Sequence, residues 1–290
     1  MQKHVNIAII IVKPWLIGLT IFCLIVKGQA MGKIIAISNQ KGGVGKSTTA
    51  VNLAAALGLK GKKVLVIDFD PQGNTTTSFG IEKRRIRNTV YEAVIGNCRM
   101  IEAIVATNFR GVSVVPATQT LSGAAVELLD LDRRSLRLKM QILTIKDDFD
   151  FIFIDCPPTL DLITVNALAA CDSVIIPIQC EFLSLEGLVE LTEAIKKVQN
   201  SFNPNIVIDG ILFTMYVKRY NLTAQVVDEV KKHFPKMVYK TVIPRNIALS
   251  EAPSFGQPVL YYNKNCKGAK AYEEFADEFL KRQKKREKNK

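Results

Sequence analysis

Read as a string of apolar and polar positions, the chain alternates short apolar runs with longer stretches in which apolar residues recur at helical spacing. Runs at residues 34–37, 63–68, 112–115, 151–155, 173–178, 205–214 and 241–243 are rich in β-branched or aromatic residues and predict strands. Two of them, KVLVID and FIFID, are continuously apolar up to a terminal acid, as expected for strands buried on both faces of a parallel sheet. Helical patterns fall at 50–59, 90–95, 100–105 and 124–145, on a stretch ending at 198, and at 222–234. Near the C-terminus, Tyr272, Phe275, Ala276, Phe279 and Leu280 recur at i, i+3, i+4, i+7 and i+8, giving a helix with one apolar face. Strands alternating with helices over 31–280 predict one doubly wound α/β domain, with a mostly parallel sheet and helices on both faces.

The first thirty residues break this pattern. Residues 5–26, VNIAIIIVKPWLIGLTIFCLIV, have the length of a membrane span, but Lys13 and Pro14 interrupt them and the rest is short for a bilayer. Met31 directly precedes the first core strand, so 1–30 is read as a non-core leader. Translation starting at Met31 is the favoured reading, with an N-terminal anchor and a cleaved signal as alternatives.

Across its 290 residues the chain is 48% hydrophobic and 23% charged, an ordinary globular composition. The six cysteines are scattered without a C-x-x-C pair, which argues against a zinc site, an iron–sulfur cradle or a disulfide framework and fits a reducing compartment. Much of the net charge of +12 lies in the last ten residues, KRQKKREKNK, read as a basic tail at 281–290. A second basic patch, Lys83, Arg84, Arg85 and Arg87, reads first as a solvated face.

The chemistry starts in KIIAISNQKGGVGKSTT, residues 33–49, where a strand gives way to a glycine-rich turn and then to a helix. Gly42, Gly43 and Gly45 let successive backbone N–H groups converge on one anion, and the helix N-terminus adds partial positive charge. That anion is a phosphate, with Lys46 placed for the β/γ-phosphates and the Ser47 hydroxyl for Mg²⁺. Asp68 and Asp70 lie two apart at the end of one strand, and Asp155 ends another; an acid at a strand tip beside such a loop suits Mg²⁺. These residues alone indicate an Mg²⁺-dependent nucleotide phosphohydrolase.

The loop departs from G-x-x-x-x-G-K-[ST]: Gln40 stands at the first glycine position and a second lysine, Lys41, follows. KGGVGKST resembles the deviant Walker A loop of the ParA/MinD ATPases, and DPQGN, DCPPTLDLITVNAL and PIQCEFLSLEGL resemble segments of the ParA/Soj branch. The resemblance implies that residues Lys41, Gly42, Gly43, Val44, Gly45, Lys46, Ser47 and Thr48 bind ATP. It further implies that Lys41 reaches the partner's nucleotide in an ATP-dependent homodimer, that Asp70 orients or activates the attacking water, and that Ser47 and Asp155 hold Mg²⁺. Lys41, Asp70 and Lys46 are then the catalytic set, slow turnover is expected, and Pro244 and Arg245 match a loop beside the adenine. Gln179 and Glu181 receive no role. For the whole chain it implies a cytoplasmic, nucleoid-associated partitioning ATPase that binds duplex DNA non-specifically and is stimulated by a ParB-type centromere-binding partner. Lys218 and Arg219 are the expected DNA contacts, while Ala248 stands where the family usually has arginine, leaving the basic tail to substitute. The alternative is a MinD-like membrane-cycling ATPase, or a ParA-like positioner of other cargo; DPQGN and a tail poor in apolar residues favour the ParA branch and argue against a membrane partner.

Overall fold

Successive residues of a strand point to opposite faces, and the apolar runs use this alternation to build two cores. Ile34, Ala36, Leu65, Ile67, Ile152 and Ile154 enter one apolar layer, while Ile35, Ile37, Val64, Val66, Phe151 and Phe153 enter the other. The computed structural model describes residues 32–181 and 184–288, and the 1–30 leader lies outside them. The strands form one seven-stranded sheet in the order β3-β4-β2-β5-β1-β6-β7. These are β1 (Lys33–Ile37), β2 (Val64–Asp68), β3 (Val105–Ala106), β4 (Val112–Val115), β5 (Phe151–Asp155), β6 (Ser173–Gln179) and β7 (Val207–Thr214). All pairings are parallel except β3 with β4. This is the doubly wound α/β fold expected from the alternation of elements.

The chain leaves β1 toward β2 on one side and crosses β1 from β5 to β6 on the other, so the loops after β1, β2 and β5 converge at a switch of winding direction. The helix Lys46–Leu59 follows β1 and packs in the second layer beneath the C-terminal helix Lys267–Lys288. Phe279 of that helix sets its ring 5.2 Å from Phe151 and 5.9 Å from Phe153. Its apolar face is therefore taken up by the sheet.

Several elements differ from expectation. The helical pattern at 100–105 is a 3₁₀ turn at Met100–Ala103 followed by the short strand β3. Residues 74–78 of the DPQGN segment form a short helix, and Leu162–Ala170 forms a helix buried almost all round, which leaves no periodicity to read. Residues 241–243 are not a strand; this stretch contributes only isolated bridges from Val238 to Ile211 and from Pro244 to Tyr216. The basic residues after Leu280 are no separate tail as far as Lys288, because they continue the C-terminal helix. There Gln283 Nε2 and Arg286 donate to the buried Asp209 Oδ2 at 2.7 and 2.6 Å, and Arg282 stacks 3.9 Å above the Tyr239 ring. Among the described residues, no helix is long and apolar enough to cross a membrane.

Candidate active site

The loop between β1 and the helix Lys46–Leu59 needs its glycines. Gly43 (φ 74°) and Gly45 (φ 86°) occupy the left-handed region, where a Cβ is strained. Nothing lies within 4 Å of where a Cβ would stand on Gly42 or Gly43, so their backbone faces open space. Gly45 is the N-cap and no side chain caps the helix, which leaves its first-turn N–H groups for an anion. Val44 is fully buried and anchors the loop. From outside, Thr214 Oγ1 donates to the Val44 carbonyl and Gln179 Nε2 to the Gly43 carbonyl, both at 2.8 Å. Asn39 accepts from the Lys41 N–H at 2.9 Å and donates to the Pro177 carbonyl at 2.8 Å. The loop is thus braced by the ends of β6 and β7.

The two lysines part company. Lys46 is buried and its Nζ donates to the Lys41 carbonyl oxygen at 3.1 Å; burial lowers its pKa, opposed chiefly by the negative charge of Asp155 and also by that of Asp70. The Lys41 ammonium instead turns outward to Glu181 Oε2, an ion pair whose side chains are 35% and 49% exposed.

Asp68 and Asp155 are register partners at the ends of β2 and β5, and both are fully buried. Asp155 is pushed up to about 7, first by burial and then by Asp68, while the Ser47 and Thr75 hydroxyls draw it down. Its Oδ2 accepts from Thr75 Oγ1 at 2.8 Å, whereas Oδ1 is buried without a protein partner. Burial likewise raises Asp68 to about 6, and its Oδ2 accepts from the N–H and Oγ1 of Thr76 at 2.7 and 2.6 Å. Asp68 therefore folds the segment after β2 into the turn Asn74–Ser78. Asp70 Oδ1 accepts from the Gln72 N–H at 2.9 Å, so this acid both shapes the turn and faces the cleft. Lys83 donates to the Gln72 carbonyl at 2.6 Å, which ties one member of the second basic patch to the same segment. Cys156 is wholly buried with its thiol pushed well up, as suits a packing residue.

A cleft of about 530 Å³ runs between these parts. Gly42, Gly43, Gly45, Lys46, Ser47 and Thr48 form one wall, with Asp70 beside them. Pro244 and Arg245 also line the cleft, together with Asn246, whose Oδ1 is buried without a partner. Lys218 and Arg219 stand outside the cleft, exposed beyond the end of β7, with Arg219 5.4 Å from the Tyr220 ring. Sequence reasoning missed Thr75, Thr76 and Thr214 and gave Gln179 and Glu181 no role, because each acts through a partner distant in the chain or through a turn that propensity does not mark.

A family described as an AAA domain matches residues 32–208. The chain is 50% identical over 248 residues to the sporulation initiation inhibitor protein Soj of Bacillus subtilis, covering 86% of this chain and 98% of that protein. It is 47% identical to the chromosome partitioning protein ParA of Myxococcus xanthus, over 87% of this chain and 89% of that one. The chain belongs to the ParA/Soj family of ATPases. This ParA/Soj-family chain also superposes with a TM-score of 0.77 on a Mycobacterium smegmatis cobyrinic acid a,c-diamide synthase solved with an ATP analogue and magnesium. That protein is 35% identical, and the match covers 87% of this chain and 96% of that one.

Proposed function

We propose that this ParA/Soj-family ATPase binds ATP with Mg²⁺ in the cleft, dimerises in that state, and serves chromosome or plasmid partitioning by holding duplex DNA non-specifically. The observation that carries the reading is the buried Oδ1 of Asp155, without a protein partner on a carboxylate that the Ser47 hydroxyl draws down, next in the fold to a glycine loop whose backbone faces open space. An oxygen of this kind, next to a hydroxyl and a phosphate cradle, fits a hard divalent cation that takes few protein ligands. Ser47 and Asp155 would hold Mg²⁺, which when bound neutralises phosphate charge. The loop amides and Lys46 hold the phosphates, while Pro244, Arg245 and Asn246 border the base. Asp70, at the cleft wall, orients the attacking water; such chemistry needs positioning and charge stabilisation rather than a covalent intermediate.

Lys41 is the charge donor to the partner's nucleotide. Its pair with Glu181 is exposed and contributes no more than about 1 kcal/mol, so release toward a partner is cheap. DNA contact rests on Lys218 and Arg219, supplemented by the exposed Lys281, Lys284, Lys285 and Lys288 of the C-terminal helix. A ParB-type partner accelerates the otherwise slow hydrolysis, and the protein works in the cytoplasm on the nucleoid. A MinD-like bilayer role needs a free apolar helix face, whereas that of the C-terminal helix is packed on Phe151 and Phe153.

The test is co-sedimentation of the chain begun at Met31 with duplex DNA or with liposomes, in ATP and in ADP. Binding to DNA in ATP alone is expected; binding to neither surface moves the reading to positioning of another cargo.

A further inference from the structure

The Asp155 carboxylate has two oxygens in opposite circumstances. Oδ1 is buried without a protein partner, Oδ2 is taken by Thr75 Oγ1 at 2.8 Å, and the Ser47 hydroxyl lies near enough to the carboxylate to draw its pKa down. Thr75 is itself completely buried, so no solvent competes for its hydroxyl. A carboxylate at a strand end is free to rotate about its last torsion, and a single hydrogen bond from a fixed donor selects one orientation. The donor here is fixed. Thr76, the next residue, is fully buried, bonds Asp68 through both its N–H and its Oγ1, and accepts from the Ala117 N–H at 2.9 Å.

We propose that Thr75 is a positioning residue for the cation. Its hydroxyl holds Asp155 so that Oδ1 faces the Ser47 side of the cleft, and it joins that carboxylate to the segment that carries Asp70. The inference rests on the reading of Asp155 as an Mg²⁺ ligand. It assigns to the DPQGN-containing segment a task beyond bearing Asp70: the turn Asn74–Ser78 supplies the outer hydrogen bond of the metal site. Loss of such an outer partner typically weakens metal affinity by about 10- to 100-fold.

The experiment titrates Mg²⁺ into the full chain at saturating fluorescent ATP analogue and reads the apparent Mg²⁺ dissociation constant, alongside analogue affinity in EDTA. The forms compared are wild type, Thr75→Val, Thr75→Ala, Thr75→Ser and Asp155→Asn, each checked for a wild-type circular dichroism spectrum. Thr75→Val is expected to weaken Mg²⁺ at least about 10-fold while leaving metal-free nucleotide affinity unchanged, and Thr75→Ser to restore it. Thr75→Ala gives the same answer if Val does not fold. Wild-type Mg²⁺ affinity in Thr75→Val or Thr75→Ala, with Asp155→Asn weakened, overturns the role of Thr75 alone. Wild-type affinity in Asp155→Asn overturns the ligand reading on which it rests. Equal losses with and without Mg²⁺ in the Val and Ala variants mean a merely structural threonine and also overturn the proposal.

Discussion

Lys46 Nζ donates to the carbonyl oxygen of Lys41 at 3.1 Å, so the two lysines of the loop are joined through backbone while their ammonium groups aim at different places. One stays under the glycine turn and the other leaves for Glu181. Lys46→Ala should therefore weaken ATP binding by roughly 100-fold, the loss of a charge-assisted contact from a buried ammonium. Lys41→Ala should stay within about threefold of wild type in binding. Titration of a fluorescent ATP analogue into each variant checks the difference; equal losses would place both lysines on the same nucleotide.

The acid pair predicts a pH dependence. Asp68 and Asp155 titrate at about 6 and about 7 when folded, against an ordinary 3.8. Folding therefore binds protons that the unfolded chain has released, so their contribution to stability is fullest below about pH 4 and declines as pH rises to about 7. Asp155→Asn keeps an acceptor for Thr75 and removes much of this penalty. It should raise the Tm of the ligand-free chain at pH 8 by roughly 3–6 °C, with little effect at pH 4.5. A lower Tm at pH 8 would mean that the carboxylate stabilises the fold.

The helical basic segment changes how DNA contacts are tested. Deleting residues 281–290 would strip Arg286 and Gln283 from the buried Asp209, so loss of DNA binding would be confounded with loss of fold. Arg286→Ala should destabilise by about 3 kcal/mol, read by urea denaturation, because it leaves a buried carboxylate short of its cation. Changing the exposed Lys281, Lys284, Lys285 and Lys288 to Gln should instead leave stability within about 0.5 kcal/mol and flatten the salt dependence of DNA affinity. Arg219→Ala should remove roughly one contact per subunit, a change of about 0.9 in slope for each subunit of the dimer. An unchanged slope in the lysine variant would confine the DNA surface to the neighbourhood of Lys218 and Arg219.

Much of the fold was legible because parallel strands buried on both faces must be apolar runs, and 64–68 and 151–155 are such runs ending in acids. The glycine loop was legible because φ values of 74° and 86° leave few alternatives to glycine. The helix Leu162–Ala170 was not, since burial on nearly every side erases amphipathic spacing. Nor was Asn74–Ser78, a run of polar and β-branched residues with poor helix propensity that is closed by bonds from Thr76 to Asp68. The lysines and arginines after Leu280 read as tail because their anchors, Asp209 and Tyr239, lie elsewhere in the chain.

Asp70 lines the cleft, and the proposed reading gives the cation to Ser47 and Asp155, so Asp70→Ala should bind ATP and Mg²⁺ normally yet hydrolyse ATP at least about 100-fold more slowly. Sedimentation velocity should then show a dimer that persists in ATP. A monomer that no longer binds nucleotide would make Asp70 a residue of the turn alone, through its bond to the Gln72 N–H.

The central claim, that Lys41 completes the site of a second copy, is tested most directly by mixing two inactive variants and measuring phosphate release. Lys41→Ala keeps Asp70 but offers its partner no lysine, and Asp70→Ala offers the lysine but cannot use the water. In a mixed dimer one site has both, so the mixture should recover part of the wild-type ATPase rate, maximally near equal proportions. Hydrolysis that stays at the level of the separate variants at every ratio would contradict action across the dimer.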